Sequence, residues 1–241
     1  MTLRSYGNLF GVRYGSAQPR VLALHGWGRS RTDFEGWLSG YEAIALDLPG
    51  FGASPPPDES MGATGYAELI GSVLGEFETP PVIVGHSFGG RIAVALAASR
   101  PEAVSGLVLA GVPLIRLSPA GKPPWRYRLV RRAGSMGLVS AARLERARRR
   151  FGSADYRAAA GVMRDVLVKV VNESYEIELG AVKCPVRLVW GEQDSAVPTA
   201  VAAAALGFLA DGTLDVVAGA GHDVHLSHPE RLCAAIDELS V

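Results

Sequence analysis

Three residues of this chain have types and an order that could together break an acyl bond: Ser87, Asp194 and His222. Ser87 lies in Gly85-His86-Ser87-Phe88-Gly89-Gly90, between an apolar run at 80–84 and a helical pattern at 91–98. A serine bracketed by glycines in a strand-to-helix turn has the form of a nucleophile elbow. Side chains flanking so sharp a turn would collide across it, which is why glycines are expected there. A serine hydroxyl is a poor nucleophile until a base takes its proton, and the base works best when a carboxylate fixes its tautomer. Asp194, in Trp190-Gly191-Glu192-Gln193-Asp194, and His222, in Gly219-Ala220-Gly221-His222, follow Ser87 in the order such a site requires.

The charge that develops on a carbonyl oxygen needs two backbone N–H donors. Phe88, directly after the serine, is one candidate, and Trp27, in His25-Gly26-Trp27-Gly28, is the other. Gly26 and Gly28 leave room for the backbone to approach a substrate. Gly26, His86, Arg91 and Trp125 are candidate substrate-binding residues, although His86 reads first as packing within the elbow and Trp125 equally as packing between helices of its own segment. Arg91 stands one helical turn beyond the serine, where it reads either as a helix residue anchored to a neighbouring loop or as an anion clamp.

The elements that must position these groups are short apolar runs alternating with helical patterns, which predicts an α/β fold with a parallel sheet. The strand candidates are 21–24, 43–46, 82–84, 107–109, 186–190 and 214–217, and each precedes a turn or a reactive group. Function therefore gathers at the carboxyl ends of the strands. Ser227, Pro229 and Glu230 predict a capping box at the start of the last helix.

Taken together, His25-Gly26-Trp27, Asp47-Leu48-Pro49-Gly50-Phe51-Gly52, the elbow, Trp190-Gly191-Glu192-Gln193-Asp194 and Gly221-His222 resemble the α/β-hydrolase superfamily. The resemblance implies an eight-stranded, mostly parallel sheet flanked by helices, with residues 1–113 and 180–241 as the core and 114–179 as an inserted helical cap. It implies the Ser87–His222–Asp194 triad, no cofactor, and His25 as a structural turn histidine. It also extends to small esterases such as the biotin-pathway carboxylesterase, whose cap arginines face the substrate, and to menaquinone-pathway synthases with an arginine where Arg91 stands. A serine at position 87 argues against haloalkane dehalogenase and epoxide hydrolase chemistry, in which that branch of the superfamily uses an aspartate.

The formal net charge of the 241 residues is zero, which suggests no attraction to nucleic acid. The zero conceals a division: residues 114–179 carry 14 Lys and Arg against 6 Asp and Glu, and the rest carries 10 against 18. The basic segment reads as a solvated face or as a docking surface for an anionic acyl-CoA or acyl-carrier protein. Cys184 and Cys233 suggest packing residues, with no disulfide framework. His225 and His228 read as surface residues, and no metal site is expected from them. The first residues show no signal-peptide h-region and no run has the length of a membrane span, so a cytoplasmic location is expected. The expected activity is hydrolysis of a carboxylic ester or thioester of a small to medium acyl group. The alternatives are a lyase, synthase or C–C bond hydrolase using the same triad on an anionic substrate, and a non-catalytic ligand receptor.

Overall fold

The computed structural model describes residues 2–117, 139–140, 142, 146 and 153–240. Eight strands form one sheet in the order β1-β2-β4-β3-β5-β6-β7-β8. They are β1 (Leu3–Tyr6), β2 (Leu9–Tyr14), β3 (Val21–Leu24), β4 (Ala43–Asp47), β5 (Val82–His86), β6 (Gly106–Ala110), β7 (Val186–Gly191) and β8 (Gly212–Val217). Only β2 runs antiparallel to its neighbours, pairing with β1 and β4; the other pairings are parallel. The described helices are α1 (Ala63–Ile70), α2 (Phe88–Ser99), α3 (Ala154–Ala158), α4 (Gly161–Val170), α5 (Glu176–Ala181), α6 (Thr199–Leu206), α7 (Val224–Ser227) and α8 (Pro229–Leu239).

The strand sequences explain both faces of the sheet. In β3, β4, β5 and β6 the larger side chains alternate with smaller ones, and successive side chains point to opposite faces. Leu22, Leu24, Ile44, Leu46, Ile83, Leu107 and Leu109 join the core packed by α1, α2, α5 and α6. Ala23, Ala43, Ala45, Val82, Val84, Val108 and Ala110 form the other core with Phe34, Leu38 and the α8 residues Leu232 and Ile236. Burial on both faces is why the central strands read as continuous apolar runs.

All six strand candidates are strands. The hairpin of β1 and β2 has no counterpart among them. Its signal is Gly7-Asn8, a two-residue turn between Tyr6 and its partner Leu9, with Gly7 at φ 62°. The capping box is corrected. Ser227 is the last residue of α7 and its hydroxyl donates to the Asp223 carbonyl, so α8 begins at Pro229 with no side-chain cap.

The sheet order reverses between β3 and β5, which lie side by side with Leu24 opposite Gly85. Such a switch point opens a crevice at the strand ends. His25 secures the turn after β3: its Nδ1–H donates to the Gly26 carbonyl at 2.7 Å, and its Nε2 accepts from Leu48 N–H at 2.9 Å. Both ring nitrogens are used, so the ring is a structural tie between the β3 and β4 turns.

That tie has a pH signature. Burial is the largest influence on His25 and pulls its pKa from 6.5 to about 4. The unfolded ring takes a proton at the higher pH and the folded ring at the lower. The stability contributed by its neutral form is complete above pH 6.5 and is lost as pH falls toward 4. At ~1.4 kcal/mol per pH unit the loss is about 3 kcal/mol. Urea unfolding from neutrality down to about pH 4 should show a decline that is shallower in His25→Asn by about that amount.

Candidate active site

Ser87 follows β5 directly and precedes α2. Its φ of 48° makes it the one non-glycine residue with positive φ among the described residues. A serine in that conformation costs ~1–3 kcal/mol and persists only where its surroundings hold it. The holding contacts are backbone ones: Ser87 N–H donates to Ala110 of β6 at 2.9 Å, and Gly89 N–H to His25 at 3.0 Å. The glycine at 89 is a steric requirement, because a Cβ there would strike the Leu24 carbonyl. Close approach of α2 to the end of β3 thus places the elbow beside the His25-Gly26-Trp27 turn.

Asp194 and His222 come from the turns after β7 and β8. The Asp194 carboxylate is fully buried and divides its two oxygens. Oδ1 accepts the N–H groups of Ala196 at 2.9 Å and Val197 at 2.8 Å, shaping the turn before α6. Oδ2 accepts from His222 Nδ1–H at 2.8 Å. This division fixes the imidazole as the Nδ1–H tautomer and leaves Nε2 with a free lone pair. The neighbouring turn is fitted to the ring: Gly111, at φ 58°, would place a Cβ 3.0 Å from His222 Nδ1.

Ser87 and His222 open on one pocket of about 300 Å³, which Trp27, Phe88, Arg91 and Asp155 also line. The N–H groups of Trp27 and Phe88 have no acceptor among the described residues. That of Phe88 is free for a structural reason, since the first N–H groups of a helix have no acceptor within it. Trp27 packs edge-on against Phe51 and Phe88, with ring centroids 5.0 and 5.4 Å apart, and Tyr66 meets Phe88 at 5.0 Å. A hydroxyl, an imidazole lone pair and two open N–H donors on one pocket can activate a nucleophile and stabilise an oxyanion.

Arg91 is buried and reaches across to α4, where Nη1 donates to the Val170 carbonyl; its guanidinium lies 5.8 Å from the Tyr175 ring centroid. Burial is the largest influence on this group and lowers its pKa from the ordinary arginine value. It is therefore both anchored to a neighbouring element and a wall of the pocket. Gly26 and His86 do not line the pocket. Trp125 lies outside the described residues, as does most of the arginine-rich segment. A larger open groove of about 750 Å³, lined by Tyr6, Pro49, Pro56 and Met61 among others, contains no histidine or cysteine.

A family model described as the alpha/beta hydrolase family matches residues 21–235. The chain belongs to that family. It is similar to the pimeloyl-[acyl-carrier protein] methyl ester esterase of Aromatoleum aromaticum, with 27% identity over 92% of this chain and 98% of that protein. It is also similar to the biotin biosynthesis bifunctional protein BioHC of Cellvibrio japonicus, with 24% identity over 92% of this chain and 47% of that one. The chain spans about half the length of the bifunctional relatives it matches. The solved esterase EaEST from Exiguobacterium antarcticum shares the fold, with a TM-score of 0.72 and 21% identity over 97% of this chain and 96% of that one.

In this alpha/beta hydrolase one buried group near the site and its partner had no sequence signal. His225, expected at the surface, is fully buried and stacks on His86 with ring centroids 3.8 Å apart. Its Nε2 lies 3.2 Å from Asp33, a residue 192 positions away, and no local spacing announces such a pair. His228 is half-buried, with Nδ1 2.9 Å from the Ser227 hydroxyl.

The contact at Gly111 gives a direct test of the tightness around His222. In Gly111→Ala the new Cβ must displace the imidazole, in a backbone conformation that alanine rarely adopts. Stability should fall by about 1 kcal/mol or more, and reaction of Ser87 with a fluorophosphonate should slow by about tenfold or more. Unchanged labelling in a folded variant would show that the ring has slack.

Proposed function

We propose that the protein is a serine hydrolase that cleaves a carboxylic ester or thioester of a small to medium acyl group through an acyl-enzyme. The observation that carries this reading is the 2.8 Å bond from His222 Nδ1–H to buried Asp194 beside the strained Ser87, with the base and the serine opening on the same pocket. The free Nε2 of His222 takes the hydroxyl proton as Ser87 Oγ attacks the carbonyl carbon. Asp194 holds the tautomer and stabilises the imidazolium. Trp27 and Phe88 N–H donate to the oxyanion. The imidazolium then protonates the leaving alcohol or thiol. A water activated by the same ring hydrolyses the acyl-enzyme, restoring Ser87.

The relatives named as pimeloyl-[acyl-carrier protein] methyl ester esterases support an ester whose acyl group rides on a carrier, either an acyl-carrier protein or CoA. Small free esters fit the pocket volume as well.

Arg91 favours a second reading. A guanidinium carries five N–H donors, and this buried one donates to the Val170 carbonyl and pairs with the Tyr175 side chain, which leaves donors to spare. A substrate carboxylate near the reacting carbon would find a cation there, which suits a lyase or C–C hydrolase using the same triad. Turnover of aryl esters, acyl thioesters and anionic cyclohexadiene substrates separates the two.

On the hydrolase reading, Ser87→Ala lowers ester turnover by ~10⁴-fold or more. Asp194→Asn lowers kcat by up to about 10⁴-fold, because the amide favours the wrong imidazole tautomer. No ester or thioester rate above the Ser87→Ala background would refute the hydrolase assignment and leave the anionic-substrate reading.

A further inference from the structure

A second histidine system lies behind His222, on the side away from the pocket. His86, at the end of β5, is buried, and its Nε2 is 3.3 Å from the carbonyl oxygen of His222. A carbonyl only accepts, so the proton of His86 sits on Nε2. His225 lies flat against His86, tilted 29°, with its Nε2 3.2 Å from an Asp33 oxygen. A carboxylate also accepts, so Nε2 of His225 is the donor. The remaining nitrogen of each ring, Nδ1, is buried without a hydrogen-bond partner among the described residues. Arg29 completes the chain. Its Nε donates to the Asp33 oxygen that receives His225, and its Nη1 is 3.5 Å from Asp223, the neighbour of His222.

His86, Asp223 and His225 bring ligand atoms within 4.8 Å of one another, close enough for the cluster to suggest a metal. The rings argue otherwise. Stacked imidazoles direct their in-plane lone pairs side by side and do not converge on one ion, and Arg29 already places a cation against Asp223. The contacts instead describe two hydrogen bonds joined by a ring stack and ending on the backbone of His222.

We propose that Asp33, His225 and His86 are positioning residues that hold the carbonyl of His222, and through it the angle at which the imidazole meets Ser87. Asp33 accepts from His225, the His225 ring fixes the plane of His86 by stacking, and His86 N–H anchors the His222 peptide. The opposite side of His222 is held by Asp194 at the ring. The base is thereby fixed at two points, the side chain from β7 and the backbone from β5. This inference rests on the reading of His222 as the catalytic base.

Hydrolysis of a p-nitrophenyl ester, normalised to fluorophosphonate-titrated sites, tests it. Ser87→Ala and His222→Ala come first; a retained rate in either overturns the catalytic reading itself. Given loss of activity there, His225→Phe keeps the stack and removes the bond to Asp33. It should lower kcat about tenfold with KM unchanged, within the ~10²-fold that a 1 Å misplacement can cost. His225→Gln, whose amide N–H can replace Nε2–H, should recover most of that loss.

Asp33→Leu, which can accept from neither His225 nor Arg29, should lower kcat similarly with KM unchanged. The double variant Asp33→Leu/His225→Phe should cost no more kcat than the larger single effect, because both interrupt one chain. The proposal fails if folded His225→Phe has wild-type kcat per titrated site. It also fails if folded Asp33→Leu has wild-type kcat per titrated site. Should His225→Phe not fold, folded Asp33→Leu decides the matter by the same reading, with wild-type kcat per titrated site counting as failure.

Discussion

The structure depends on one costly backbone conformation, the positive φ of Ser87. The residue keeps it because both neighbouring strands are engaged around it. β6 supplies a carbonyl to the serine N–H, and the end of β3 supplies one to Gly89. These bonds require α2 to start at once after β5 and to pass almost in contact with the β3 backbone. Glycine at 89 follows from that contact, and so does the adjacency of the two turns whose N–H groups remain open. Strain at the serine and the proposed oxyanion site are consequences of the same close packing.

Proton placement in the surrounding histidines follows from their acceptors. His25 carries its proton on Nδ1 because the Gly26 carbonyl accepts there and Leu48 donates at the other nitrogen. His222 carries it on Nδ1 because Asp194 accepts it, and Nε2 is left for chemistry. His86 carries it on Nε2, facing the His222 carbonyl. Burial pushes the pKa of His86 well down, with the nearby His225 and His222 adding to the effect. A neutral His86 beside His222 adds a hydrogen bond to the site without adding a repelling charge.

Much of this was legible in the sequence because central parallel strands and their terminal turns are encoded locally. The runs at 21–24 and 82–84, the glycines of the elbow, and the order of Ser87, Asp194 and His222 need no knowledge of distant contacts. What escaped depends on tertiary position. The β1 strand is mostly exposed and has no buried alternation to reveal it. Ser227 and Glu230 have the spacing of a cap, yet a one-turn helix ends at Ser227 and claims its hydroxyl. His225 has ordinary surface spacing, and only the approach of Asp33, far away in sequence, makes a core site for it. Arg91 is anchored to a neighbouring element as one of its readings expected, and a side chain long enough to reach α4 also lines the space it crosses.

The pocket has walls of two different origins, and they constrain different steps. Ser87, Phe88, Trp27 and His222 are fixed by the sheet and by short backbone bonds. The facing wall comes from α4, through Leu167 and Val170, followed by Val171. That helix is fastened to the core in two ways. Val166 and Val170 are buried in the main core, and Leu167 is buried beside them. Polar ties hold its margins: Arg91 donates to the Val170 carbonyl, Lys169 to the Ser60 carbonyl, and Glu173 accepts from Ala63 N–H and Tyr175 O–H. A smaller residue at 170 would therefore loosen the core as well as widen the pocket, whereas Val171 is exposed and lines the same space without that core role. The wall facing the reacting groups is thus tied to the stability of the fold at one position and independent of it at the next.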